Sequence, residues 1–179
     1  MRIISGLYKS RKIVAPKNLP VRPTTDMAKE SLFNIINNLY YFDDISVLDL
    51  FAGTGNISYE FASRGTEQIT CVDQDFGCIK FINKTAEAFG MPIQTIKSDV
   101  FKFLEKATIQ ANIIFADPPY NFELEQFSKI PEFVFKNNLL LEDGVLIVEH
   151  SKHTNLSSLE NFAYSKSYGG NVFSFFEKG

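Results

Sequence analysis

The chain has 179 residues, 45% of them hydrophobic and 22% charged, proportions that fit one globular domain able to bury its own core. With two cysteines, no run near the roughly eighteen apolar residues of a membrane span and no signal-peptide apolar core at the N-terminus, the sequence argues against a disulfide scaffold, a membrane protein and a secreted one. The expectation is a monomeric cytoplasmic protein in which Cys71 and Cys78 stay thiols. The net charge of −3 hides an asymmetry, because residues 1–25 carry Arg2, Lys9, Arg11, Lys12, Lys17 and Arg22 and no acid, leaving the other twelve basic residues against all 21 acids. Such a segment can neutralise phosphates, or it can be a solvated surface arm.

Residues 2–14 place short apolar groups around Ser5-Gly6 and Lys9-Ser10-Arg11, as a small hairpin does, and Pro16, Pro20 and Pro23 then keep the chain extended. Residues 1–24 therefore read as a basic arm outside the core, and 25–179 as the domain proper. Thr24 or Thr25 can cap a helix with Asp26 in its first turn and Ala28, Leu32, Ile35, Ile36 and Leu39 at helical spacing. From Ile45 onward short buried strands (46–50, 68–72, 93–97, 112–116 and 145–149) alternate with helical segments. The helices run from a Gly turn to about Arg64, from an Asp75 cap to Gly90, after Asp99, over 124–136, and between Thr154 and Glu160. Two last strand-like runs, 163–168 and 172–177, flank Gly169-Gly170-Asn171, a hairpin signal. The spacing predicts an α/β fold, a mostly parallel seven-stranded sheet closed by a C-terminal antiparallel hairpin, in the order of a methyltransferase-type Rossmann fold.

Two places in this frame can carry chemistry. The first is the strand-to-helix stretch from Val47 to Asn56, in which Asp49 and Phe51 precede Gly53 and Gly55. Glycines let a backbone approach a ligand closely, and a helix N-terminus offers unpaired N–H groups behind them. Ser58 breaks the dinucleotide fingerprint and there is no P-loop lysine. Asp73, 18 residues beyond Gly55, can accept the hydroxyls of a ribose or be a solvated strand-end acid; Asp99, followed by Val100, can meet an adenine amine, cap a helix, or do both.

The second is Asp117-Pro118-Pro119-Tyr120 at the end of the fourth strand, where an open sheet of this kind opens its crevice. By chance this tetrapeptide arises in about one chain in a thousand of this length. Its residue types suit an exocyclic base amine, a poor nucleophile because its lone pair is delocalised into the ring. Asp117 and the Pro118 carbonyl can accept the two amine hydrogens and favour a pyramidal nitrogen, the prolines hold those acceptors rigid, and Tyr120 offers a stacking face. A paired base would have to be flipped out to reach them. His150 and His153 straddle a strand end without cysteine partners, and no metal site is expected.

With these residues in place, the sequence resembles the RsmD-type methyltransferases, which act on the N2 amine of a guanine in bacterial small-subunit (16S) ribosomal RNA. The likeness runs through Arg2 to Gly6, Arg22-Pro23-Thr24-Thr25-Asp26, Glu30 to Asn34, Leu48 to Gly55, Ser63-Arg64-Gly65 and Asp117 to Tyr120. It implies an S-adenosylmethionine cofactor held by Asp49, Phe51, Gly53, Gly55, Asp73, Asp99 and Val100. Asp117 to Tyr120 would orient the target, and Arg2, Lys9, Arg11, Lys12 and Arg22 would bind ribosomal RNA or the small-subunit particle. The chain departs from the family in having Asp73 where relatives often have Glu, and Asn121-Phe122-Glu123 where many carry basic residues. Two other readings stay open: an adenine- or cytosine-amine methyltransferase on DNA or another RNA, and a non-catalytic RNA-binding assembly factor on the same scaffold.

Overall fold

In the computed structural model, which describes residues 1–21 and 24–179, β1 (Ser46–Leu50), β2 (Gln68–Asp73), β3 (Ile93–Lys97), β4 (Ala111–Ala116) and β5 (Leu140–Ser151) run parallel. A hairpin of β6 (Phe162–Tyr168) and β7 (Asn171–Glu177) completes the sheet, with β7 antiparallel to β5. The order is β3-β2-β1-β4-β5-β7-β6. The chain steps outward from β1 in one direction and returns at β4 to build the other, so a crevice opens between the carboxyl ends of β1 and β4. Their register pairs Leu50 with Ala116, which brings Phe51 and Asp117 to the same level at that crevice.

Helices α1 (Asp26–Leu39), α2 (Asn56–Ser63), α3 (Phe76–Phe89), α4 (Val100–Lys106) and α5 (Leu124–Lys136) cover the two faces. Alternation along the strands sorts the core into two layers. Val47 joins Phe33, Phe61, Ile113 and Phe173 on one face, whereas Leu48 and Leu50 join Val72, Ile114, Phe127 and Val148 on the other. Each large apolar side chain buried this way contributes about 1.5–3 kcal/mol. The helix starts follow the sequence: Thr25, Asp75 and Asp99 each accept a backbone N–H three residues on, and Gly90 ends α3 in the left-handed region.

Three local expectations are corrected. Between Thr154 and Glu160 there are turns and no helix; Asn155 Oδ1 accepts the Ser157 amide at 2.9 Å, a local bond that competes with helical pairing. Strand β5 begins at Leu140 rather than Val145, and its pairing with β4 shifts register between Ala111 and Ile113. The largest correction concerns the N-terminal segment. Its hairpin forms, with an antiparallel bridge from Arg2 to Lys12, but the segment is no arm outside the core, because Ile3 and Ile13 are buried in the α1/α2 face. The segment belongs to the core because polar groups of α2 capture its backbone. Glu60 accepts the amides of Ile4 and Ser5 at 2.9 and 3.0 Å, and the Ser63 carbonyl accepts that of Leu7 at 2.7 Å. Gly6 sits so close to α2 that a Cβ there would lie 1.9 Å from the Ser63 carbonyl oxygen, at a φ of +85°.

Candidate active site

The strand end of β1 supplies the floor of the crevice. Asp49 is 2% exposed, and the Ser58 hydroxyl of α2 donates to it at 2.6 Å. Burial pushes the Asp49 carboxyl up to about 7, the Ser58 hydrogen bond pulling the other way. Phe51 follows in the left-handed region (φ +56°), an unusual conformation for an aromatic residue. Its ring meets Phe101 of α4 and Phe122 beyond β4 edge-on, at 6.2 and 5.7 Å, and those two rings stack at 5.9 Å. This cluster links the α4 side of the crevice to the Asp-Pro-Pro-Tyr loop.

The two glycines of the turn act differently. Gly53 donates its N–H to Asp73 Oδ2 at 2.8 Å, which ties the turn to the end of β2. Gly55 is the left-handed N-cap of α2, and a Cβ there would lie 2.9 Å from the Tyr59 ring and 3.0 Å from Ile82. Backbone conformation and helix packing therefore each require glycine at this position. Asp73 spends its other oxygen on the Asp75 amide at 2.8 Å, and burial raises its pKa. Asp99 caps α4 through the Lys102 amide at 3.0 Å, with Val100 buried behind it.

Across the crevice, Pro118 is buried, Asp117 half-buried, Pro119 exposed and Tyr120 42% exposed. The Asp117 amide donates to the Leu50 carbonyl at 3.4 Å, and the Phe122 amide closes a turn onto the Pro119 carbonyl at 3.1 Å. A small cavity is lined by Asp49, Phe51, Thr54, Asn56, Phe115 and Asp117, so the acid of β1 and the acid after β4 face one space. The structure thus brings together Asp49, Phe51, Gly53, Asp73 and Asp117. The basic candidates are spread along the N-terminal segment. Arg2 pairs with Asp26 at 3.2 Å, and Arg11 lies over the rings of Tyr8 and Phe89 at 5.6 and 5.1 Å. Lys9 and Lys12 are exposed, while Arg22, with Pro23, lies outside the described residues.

A polar network that the sequence did not reveal frames the crevice. Glu149 at the end of β5 is 2% exposed; it accepts the Thr24 hydroxyl at 3.0 Å and the side-chain amide of Asn171. Asn56 donates to the Thr24 carbonyl and accepts from Lys29 at 2.9 Å, and Lys29 pairs with Glu60 at 3.4 Å, both side chains wholly buried. His150 is fixed by the Ser174 hydroxyl of β7 at 2.8 Å, and burial lowers its pKa.

Sheet order and crevice are those of an S-adenosylmethionine-dependent methyltransferase of the Rossmann-like class. The chain belongs to the family described as conserved hypothetical protein 95, the RsmD-type methyltransferases, whose model matches residues 1–177. It is 35% identical over 161 residues to YlbH of Bacillus subtilis, provisionally named an rRNA methyltransferase, covering 87% of this chain and 85% of that one. It is 29% identical over 171 residues to ribosomal RNA small subunit methyltransferase D of Haemophilus influenzae, covering 93% and 86%. Among solved structures, the provisionally named methyltransferase yhhF of Escherichia coli superposes with a TM-score of 0.84 at 27% identity, over 98% of this chain and 96% of that one.

Proposed function

We propose that the chain transfers a methyl group from S-adenosylmethionine to the N2 amine of a guanine in small-subunit ribosomal RNA. The observation that carries this reading is the position of Asp117-Pro118-Pro119-Tyr120, beside the end of β1 and sharing a cavity with Asp49. The names of the relatives support ribosomal RNA as the substrate, and the family resemblance supports guanine N2.

The residues present fit the cofactor. Asp49 is a buried carboxylate that a cationic amine would relieve, Asp73 lies at the ribose position after β2, and the Asp99-Val100 start of α4 lies beyond β3, where an adenine is read. Bound there, the cofactor supplies an electrophilic methyl on a sulfonium centre. The chain's own work is positional. Asp117 and the Pro118 carbonyl accept the two hydrogens of the target amine and direct its lone pair, while Tyr120 stacks on the base. A cofactor held there would give up its methyl and keep the electron pair of the bond it loses, leaving the chain only the amine proton to manage. The amine then carries an extra proton, released to Asp117 or to water.

Asp49 gives this reading a pH signature. Its folded pKa of about 7 stands above the ordinary value of 3.8, so its contribution to stability is full below about pH 4 and is lost as pH rises through 7. A cofactor ammonium needs the ionised form, so affinity should fall as pH drops below 7, by up to about tenfold per unit. Calorimetric titration between about pH 5.5 and 8 should show this slope, and Asp49→Asn should flatten it; a wild-type affinity independent of pH removes Asp49 from the ammonium site.

Mass-spectrometric mapping of methylated nucleosides in ribosomal RNA, from cells with and without the protein, tests the assignment as a whole. Loss of one N2-methylguanosine supports it. Loss of a methylated adenine or cytosine instead would move the substrate to another base amine, and no change would leave a binding role.

A further inference from the structure

We propose that the groove between the N-terminal segment and α3 is a second length of the RNA surface, in which Lys12, Lys80 and Lys84 hold the backbone of the strand flanking the target nucleotide. This rests on the ribosomal RNA reading above. The groove encloses about 630 Å³, and Lys12, Lys80 and Lys84 line it with Pro16, Phe81 and Phe89 and without a single acid. Lys80 and Lys84 are exposed and one helical turn apart, so they share a face of α3. Among the described residues none of the three lysines is in a salt bridge. Glu87, three residues beyond Lys84, does not line the groove. Outside the first 25 residues acids outnumber bases, so Lys80 and Lys84, unpaired and converging with Lys12 on one concavity, mark a site for an anionic partner.

The groove adjoins a cavity that reaches the glycine turn. This cavity, of about 770 Å³ and lined by Arg2, Lys12, Val21 and Thr54 among others, shares Lys12, Ile13 and Val14 with the groove and reaches the turn through Thr54. The groove's walls are fixed at both ends. The Tyr8 hydroxyl donates to the Phe89 carbonyl, with the Arg11 guanidinium over both rings, and Leu19 packs against Gly77 at the start of α3. Because Arg2 is paired with Asp26 and Arg11 lines neither cavity, the unpaired charge along this path comes largely from Lys12 and the two lysines of α3. Half-buried Phe81 and Phe89 add apolar surface, which suits an unpaired strand better than a duplex.

The test is a salt titration of the full chain binding a small-subunit ribosomal RNA fragment, comparing the wild type with Lys80→Gln/Lys84→Gln and Lys80→Arg/Lys84→Arg. Two lost phosphate contacts should lower the slope of log affinity against log salt by about 1.4, at about 0.7 per contact on a single strand, and weaken binding on the order of tenfold near 0.15 M salt. KM for RNA should rise with kcat and cofactor affinity unchanged, and the arginine pair should restore the slope. A wild-type slope in the glutamine pair overturns the groove while leaving the methyltransferase reading intact. Equal losses in both pairs overturn it too, since packing and not charge would then be responsible. If the wild type neither binds nor methylates the RNA, both readings fall together, and binding of an acidic peptide in its place would identify a protein partner.

Discussion

Replacing Asp117 by alanine is expected to lower kcat for methyl transfer by about 10²–10³-fold, the usual effect of removing one preorganised hydrogen-bond partner from a transition state, while cofactor affinity holds. The separation is possible because of where the residue stands. Asp117 reaches the crevice from β4, whereas Asp49, Gly53 and Asp73, the proposed cofactor contacts, belong to β1, its turn and β2. Asp117→Asn should keep more activity than alanine, since its side-chain oxygen can still accept one amine hydrogen. The readout is single-turnover methylation of ribosomal RNA beside calorimetry of cofactor binding. Activity within about tenfold of wild type would place the chemistry elsewhere.

The second large effect is on stability. Glu60 is wholly buried and accepts from Ile4, Ser5 and Arg64 while pairing with Lys29. Glu60→Ala leaves the buried Lys29 charge without its carboxylate and two amides of the N-terminal segment without an acceptor. Breaking a buried pair from one side costs about 3–5 kcal/mol, a fall in Tm of roughly 6–20 °C for a domain of this size. Lys29→Met should cost less, because Glu60 keeps Arg64 and the two amides, and because burial already lowers the Lys29 pKa and eases the loss of its charge. Thermal unfolding, with hydrogen exchange at Ile4 and Ser5, would show both effects. If Glu60→Ala melted within about 2 °C of wild type, the network would not be the clasp of the N-terminal segment.

What could be read in the sequence follows from how local each determinant is. Strand alternation, the caps at Thr25, Asp75 and Asp99, the left-handed stop at Gly90 and the turn before Asn171 are all written within a few residues, and the structure places them accordingly. The Asp-Pro-Pro-Tyr segment stood out for the same reason. The clasp did not, because its partners lie 55 and 56 residues apart in the chain and Glu60 alone looks like any helical acid. Basic residues drew attention to residues 1–25 as an arm, whereas its apolar minority, Ile3 and Ile13, decides where it packs. The Thr24 to Glu149 bond spans 125 positions, and no local signal announces it. Gly55 shows a subtler limit: its presence was legible, but the packing of Tyr59 and Ile82 against it was not.

The ring of Phe51 touches both Phe101, at the head of the helix proposed to read adenine, and Phe122, just past the loop proposed to hold the base. Two substrates would therefore lean on one residue whose backbone is held in a sparsely populated conformation. If either ligand shifts that residue, linkage makes the influence mutual, and the cofactor would favour RNA by the same factor by which RNA favours the cofactor.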